Sequence, residues 1–117
     1  MPTPAERCQH MLDALQSVLQ YTQGANLASY LANGMLQDSC CYQFVILGEA
    51  AKDLARLAAP QISQYAPGLV QQLSHANKLR CKLVHDYHQL DQRMIWNTIR
   101  GDAPALLQDL AQLRPYL

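Results

Sequence analysis

Along the first twenty residues, apolar side chains recur at Cys8, Met11, Leu12, Leu15, Val18 and Leu19. Arg7, His10, Asp13, Ser17 and Gln20 fill the positions between them. Steps of three and four residues put the first set on one stripe of a helix and the second set on its outer face. The segment Thr3-Pro4-Ala5-Glu6 predicts the start: a capping threonine, a proline in the first turn and a glutamate three residues on. Gly24 supplies the stop. A short helical turn is expected at Leu27–Leu31, before Asn33-Gly34 breaks the chain.

A second, longer helix is predicted from Met35 to Ala59, ending at Pro60. Leu36, Cys40, Phe44, Leu47, Ala51, Leu54 and Ala58 form the seam spacing of an antiparallel bundle. Val45, Ile46, Ala50 and Leu57 widen that seam into a second flank, which predicts a central helix packed on two sides. Gln61 to Gly68 reads as a loop. A third helix follows with Leu69, Val70, Leu73, Ala76, Leu79 and Leu83 inward, running out between His85 and Gln89. A last helical stretch is capped by Asp91 and carries Ile95, Ile99, Leu106, Leu110 and Leu113. Gly101-Asp102 and Pro104 predict a kink within it. No segment alternates with period two, and no repeat or linker interrupts the chain. The expectation is one all-α domain over residues 1–117, an up-and-down bundle of four to five helices.

Half of the 117 residues are hydrophobic and only 15% are charged. Such a chain has apolar surface to share, which inclines the reading toward a homo-oligomer. The formal net charge is zero, so no global field points to nucleic acid or membrane. No apolar run reaches spanning length, and the N-terminus has no apolar signal region; a cytoplasmic protein is expected. Cys8, Cys40, Cys41 and Cys81 have neither the spacing of a disulfide framework nor that of a zinc site.

Charge and titratable groups gather in one window. Lys78, Arg80, Lys82 and Arg93, with three of the four histidines, lie between His75 and Arg93. Within it, Arg80, His85 and Tyr87 suit phosphodiester cleavage without a metal. A histidine titrates near neutrality and can take or give a proton at a ribose hydroxyl. An arginine is always charged and can hold a phosphate in its transition state. On a regular helix Arg80 and Tyr87 share a face, while His85 stands about 140° around from Arg80. Either the helix unwinds before His85, or two copies meet so that their motifs converge.

The run Arg80-Cys81-Lys82-Leu83-Val84-His85-Asp86-Tyr87 places four residues between arginine and histidine and one between histidine and tyrosine. Upstream stands Gly48-Glu49-Ala50-Ala51; downstream stand Asp91, the run Ile95-Trp96-Asn97-Thr98-Ile99 and Pro104. In these features the chain resembles the HepT-like toxins of the HEPN superfamily, most clearly from Phe44 to Leu110. The resemblance implies a small HEPN-like helical bundle that forms a homodimer, with two copies of the motif making one composite site. It implies a metal-independent endoribonuclease toxin with no cofactor, acting on RNA, with tRNA the expected substrate class. It further implies a minimal nucleotidyltransferase antitoxin that transfers AMP to Tyr87. Arg80 would then stabilise the phosphate, His85 would be the acid and base, and Tyr87 the modification acceptor. The chain departs from the family pattern at Cys81, where a polar residue, often asparagine, is usual. It departs again at His88-Gln89, where an aromatic-glycine pair is common.

The other candidates have plainer readings beside functional ones. Glu49 either contacts Arg80 and orients it or forms a structural ion pair with Lys52 or Arg56, and the second is favoured. Cys81, His85, His88 and Asp91 could be imagined around a metal, but a buried cysteine beside a site histidine is the better reading. Lys78 and Lys82 either guide RNA or form an ordinary solvated face. Trp96 is expected as a bundle or interface anchor rather than a base-stacking platform. Gly48 is expected to allow close helix approach. His10 and His75 have no supporting context. Two other classes of function remain beside the toxin: a non-catalytic nucleotide- or nucleic-acid-binding subunit of a minimal nucleotidyltransferase, and a plain helical interaction module.

Overall fold

The fold is described by a computed structural model covering all 117 residues. It has no strands, and its seven α-helical segments are α1 (Pro4–Tyr21), α2 (Leu27–Leu31), α3 (Gly34–Leu57), α4 (Ala59–Tyr65), α5 (Leu69–His85), α6 (Gln92–Asn97) and α7 (Ala103–Leu113). The all-α bundle is as expected. The number of segments exceeds the four to five predicted, for two local reasons.

The first is α4. Gln61 to Gly68 were expected to form a loop because Pro60 and Pro67-Gly68 bound them. α3 ends at Leu57, just ahead of Pro60, and Pro60 then sits in the first turn of α4, where the missing N–H has no helical partner to lose. Ile62, 2% exposed, pins this short helix to the core. The second is the C-terminal stretch. Pro104 would clash with the carbonyl four residues back in a regular helix. A π-helical turn over Thr98–Asp102 absorbs this, dividing the stretch into α6 and α7. The predicted kink is therefore present as a π turn.

The start of α1 follows the sequence. Thr3 accepts a hydrogen bond from the Glu6 backbone N–H at 3.1 Å, and Pro4 opens the helix. Asn26 and Ser29 close a reciprocal capping box on α2. α3, with 24 residues, is about 36 Å long and runs most of the 42 Å length of the molecule. It lies between α1 and α5 and packs along both, the two-sided packing that its wide apolar girth predicts. Cys8, Met11, Leu15 and Val18 of α1 meet Cys40, Phe44, Leu47, Ala51 and Leu54 of α3 in one continuous core. Leu69, Leu73, Ala76 and Leu83 of α5 complete it, together with Ile95, Ile99, Leu106, Leu110 and Leu113. Val70, expected inward on α5, is 59% exposed: it follows Leu69 by one step, 100° around the helix.

Burial also sets the chemistry of the cysteines. Burial, then the neighbouring Cys41, pushes the Cys40 thiol up to about 11. Burial raises Cys8 and Cys41 as well. All four cysteines are free thiols, and these three are held in the protonated, unreactive form. No helix is long and apolar enough to cross a membrane.

Candidate active site at the end of the fifth helix

α5 stays helical through His85 and stops at Asp86, whose N–H still bonds to the Lys82 carbonyl. Of the two ways to bring Arg80 and His85 together, unwinding before His85 does not occur. The two side chains therefore leave one helix about 140° apart, on levels separated by about 7.5 Å. Tyr87 lies past the helix in a short 3₁₀ turn, Tyr87–Gln89, so the seven-residue register with Arg80 does not hold.

Arg80 is fixed at its root and at its tip. Its root presses on α3 at Gly48. A β-carbon on Gly48 would stand 2.3 Å from Arg80 Cβ and 2.6 Å from the Ala76 carbonyl oxygen. Glycine is thus required for α3 and α5 to meet here, as expected of Gly48. At the tip, Arg80 Nε and Nη2 both donate to Asn77 Oδ1, at 3.1 and 3.0 Å. Nη2 also donates to Cys81 Sγ at 3.4 Å. Glu49 Oε2 stands 3.6 Å from Arg80 Nη1.

This last pair corrects the favoured reading of Glu49. It does not pair with Lys52 or Arg56; Arg56 turns toward Asp53 at 3.9 Å, and Asp53 is also held by Arg7. The close approach at Gly48 is what places Arg80 beside Glu49, and no pattern along α3 alone reveals it. Asn77 had no role assigned from the sequence. Its signal was there in the three-residue step to Arg80, a spacing at which helical side chains meet.

His85 and Tyr87 are exposed, Tyr87 at 72%, its ring edge-on to His88 at 5.8 Å between centroids. Neither makes a side-chain hydrogen bond, so both are open to a ligand. Lys78 and Lys82 stand about 200° around α5 from Arg80. They line a separate groove of about 550 Å³ with Phe44, Leu79, Met94 and Leu106, and do not join Arg80. Cys81, His85, His88 and Asp91 do not converge, and no group of three or more potential ligands gathers anywhere. Trp96 is 8% exposed, packed on Tyr30 with Arg100 over its ring at 4.4 Å, and is a bundle anchor. Sequence reasoning missed the polar link beside it, in which Tyr30 donates to Gln92 Oε1 at 2.7 Å. That link ties α2 to α6 just past the motif.

One face of α3 runs into this site. Met35, Tyr42 and Glu49 follow at seven-residue intervals, and Met35 and Tyr42 are 80% and 65% exposed. Two large apolar side chains are thus exposed on the α3 face that carries the carboxylate facing Arg80.

Comparison with known proteins agrees with these features. The chain is 23% identical to a provisionally named RNase of Caldanaerobacter subterraneus subsp. tengcongensis over 97% of this chain and 96% of that one. It is 24% identical to a provisionally named ribonuclease HepT of Thermococcus cleftensis over 87% of each. No solved structure gives a significant match. The family model described as "Ribonuclease HepT-like" matches residues 11–113, which takes in Gly48, Glu49 and the whole arginine–histidine–tyrosine motif. The chain belongs to the HepT-like ribonuclease family.

Proposed function

We propose that the protein is a metal-independent endoribonuclease toxin whose active site is completed by two copies of the chain. The observation that carries this reading is the state of Arg80: a guanidinium held along one edge by Asn77, with Nη1 facing Glu49 at 3.6 Å and making no hydrogen bond, on the family's motif. It is a preformed phosphate-binding group. Arg80 and His85 diverge on an unbroken helix, and Met35 and Tyr42 are exposed on the α3 face that carries Glu49. Both features favour a homodimer through this face, in which Arg80 of one copy meets His85 of the other.

In the reaction, Arg80 holds the scissile phosphate of an RNA strand. His85 takes the proton of the adjacent 2′-hydroxyl as its oxygen attacks phosphorus. The bond to the 5′-oxygen breaks, and that oxygen leaves with a proton taken from solvent, to which His85 later releases its own. The products are a 2′,3′-cyclic phosphate and a 5′-hydroxyl, and no water is consumed. tRNA, in the cytoplasm, is the proposed substrate. Tyr87, exposed and without a hydrogen-bond partner, is the proposed acceptor of AMP from a minimal nucleotidyltransferase antitoxin. Its hydroxyl attacks the α-phosphorus of ATP and pyrophosphate leaves. The added phosphodiester puts charge and bulk where an RNA phosphate must sit.

The test is cleavage of total tRNA by the purified protein in EDTA, beside Arg80→Ala and His85→Ala. The expected result is cleavage with cyclic phosphate ends that survives EDTA and vanishes in both variants. A wild type that is inert on every RNA, with unmodified Tyr87 by mass spectrometry, overturns it in favour of a nucleic-acid-binding subunit.

A further inference from the structure

A guanidinium carries five N–H donors in a fixed plane. At Arg80 three are committed: Nε and one Nη2 proton to Asn77 Oδ1, the other Nη2 proton to Cys81 Sγ. Only the two Nη1 protons remain, and the group facing them is Glu49, 46% exposed and 3.6 Å away, too far for a hydrogen bond. The close approach of Gly48 brings the root of Arg80 against α3, and the two bonds to Asn77 orient its tip. Arg80 is itself only 19% exposed, so little solvent competes for the Asn77 contact. An ordinary helix-surface pair three residues apart lacks both the anchored root and the double donation.

From this we infer that Asn77 is a positioning residue: it turns the Nη1 edge of Arg80 outward as the substrate-facing edge. The inference rests on the reading of Arg80 as the phosphate-binding group. The choice of amide over carboxylate has a chemical meaning. Aspartate at residue 77 would offer the same acceptor oxygen but would cancel the charge that attracts the phosphate. Asparagine sets the orientation without adding a second carboxylate to that of Glu49, which already stands 3.6 Å from Arg80 Nη1. Cys81, a weak acceptor, completes the set without taking charge either.

Two substitutions separate these roles. Asn77→Ala removes the acceptor, and kcat on tRNA falls on the order of tenfold to a hundredfold, the effect of a misplaced catalytic group. Asn77→Asp keeps the acceptor and adds a charge; KM rises about tenfold while kcat is retained, the pattern of lost ground-state binding. A merely structural asparagine gives no such split, because partial unfolding lowers the active fraction equally in both. The second readout needs no cleavage. In nitrogen-edited NMR the Arg80 Nε proton exchanges slowly with water in the wild type and in Asn77→Asp, and fast in Asn77→Ala. If the wild type cleaves RNA and Asn77→Ala cleaves equally well, the inference is overturned and the ribonuclease reading stands. If the wild type is inert on RNA, that reading fails and the Arg80 signal decides alone: an Nε proton indifferent to residue 77 overturns the positioning role.

Discussion

Replacing Gly48 with alanine adds one methyl group at the close crossing of α3 and α5. That methyl would stand 2.3 Å from Arg80 Cβ and 2.6 Å from the Ala76 carbonyl oxygen, whereas carbon atoms in contact prefer about 3.5–4.0 Å. The obstacle is α5 backbone and the root of Arg80, not a flexible tip, so the helices must part by an ångström or more. Overpacking costs about 1–3 kcal/mol, and a clash with backbone places this case in the upper part of that range, about 2–3 kcal/mol. Alanine's better helix propensity returns about 1 kcal/mol, leaving a net loss of about 1–2 kcal/mol. Urea unfolding followed by circular dichroism should show this as a lower midpoint at unchanged slope, with Tm down by about 4–10 °C. RNA cleavage should fall much further, on the order of a hundredfold, because the displaced atom carries the guanidinium. Gly101→Ala is the control: nothing lies within 4 Å of its added carbon, and it should be neutral or mildly stabilising. A Gly48→Ala protein as stable as the wild type would refute the claim that this glycine sets the α3–α5 distance.

Other consequences follow from the same geometry. Tyr42→Glu puts a charge on the exposed α3 face that carries Glu49 and should leave the helical content unchanged while converting the proposed dimer to monomer in sedimentation experiments; an unchanged dimer would move the interface elsewhere. Alkaline stability should reflect Cys40, whose pKa is raised to about 11 by burial. The native state keeps this proton while the unfolded chain loses it, so stability is full below about pH 9 and declines as the pH rises through 11. The decline is on the order of 2 kcal/mol for this one group. In Cys40→Ala, urea titrations across that range should show a shallower loss; an identical slope would exclude Cys40 as its source. Cys8 and Cys40, buried and protonated, should resist iodoacetamide in the native protein and react only in denaturant, as peptide mass mapping would show.

The bundle was legible because its core is periodic: Cys40, Phe44, Leu47, Ala51 and Leu54 occupy one stripe of α3 and are all buried. α4 was not legible, since Pro60 and Pro67-Gly68 read as the bounds of a loop and Ile62 with Tyr65 is too short a pattern to show a period. Local spacing also misled at Glu49. Its neighbours Lys52 and Arg56 are close in sequence, but its partner Arg80 arrives through the packing of another helix. The motif itself could be read directly. What the sequence left open was whether the helix continued through His85, because Val84-His85-Asp86-Tyr87 contains neither proline nor glycine to mark an end. The structure places that end at Asp86, and this leaves Arg80 and His85 on different sides of one helix.

That divergence makes the central claim directly measurable. Arg80→Ala and His85→Ala are each expected to be inactive as homodimers. Mixed one to one and allowed to exchange subunits, half of the dimers are mixed, and each holds one site with an intact Arg80 from one copy and an intact His85 from the other. About one quarter of wild-type tRNA cleavage should therefore return, because random pairing leaves one working site in every four. A mixture that stays silent, beside an active wild type and with subunit exchange verified, would contradict a site shared between two copies.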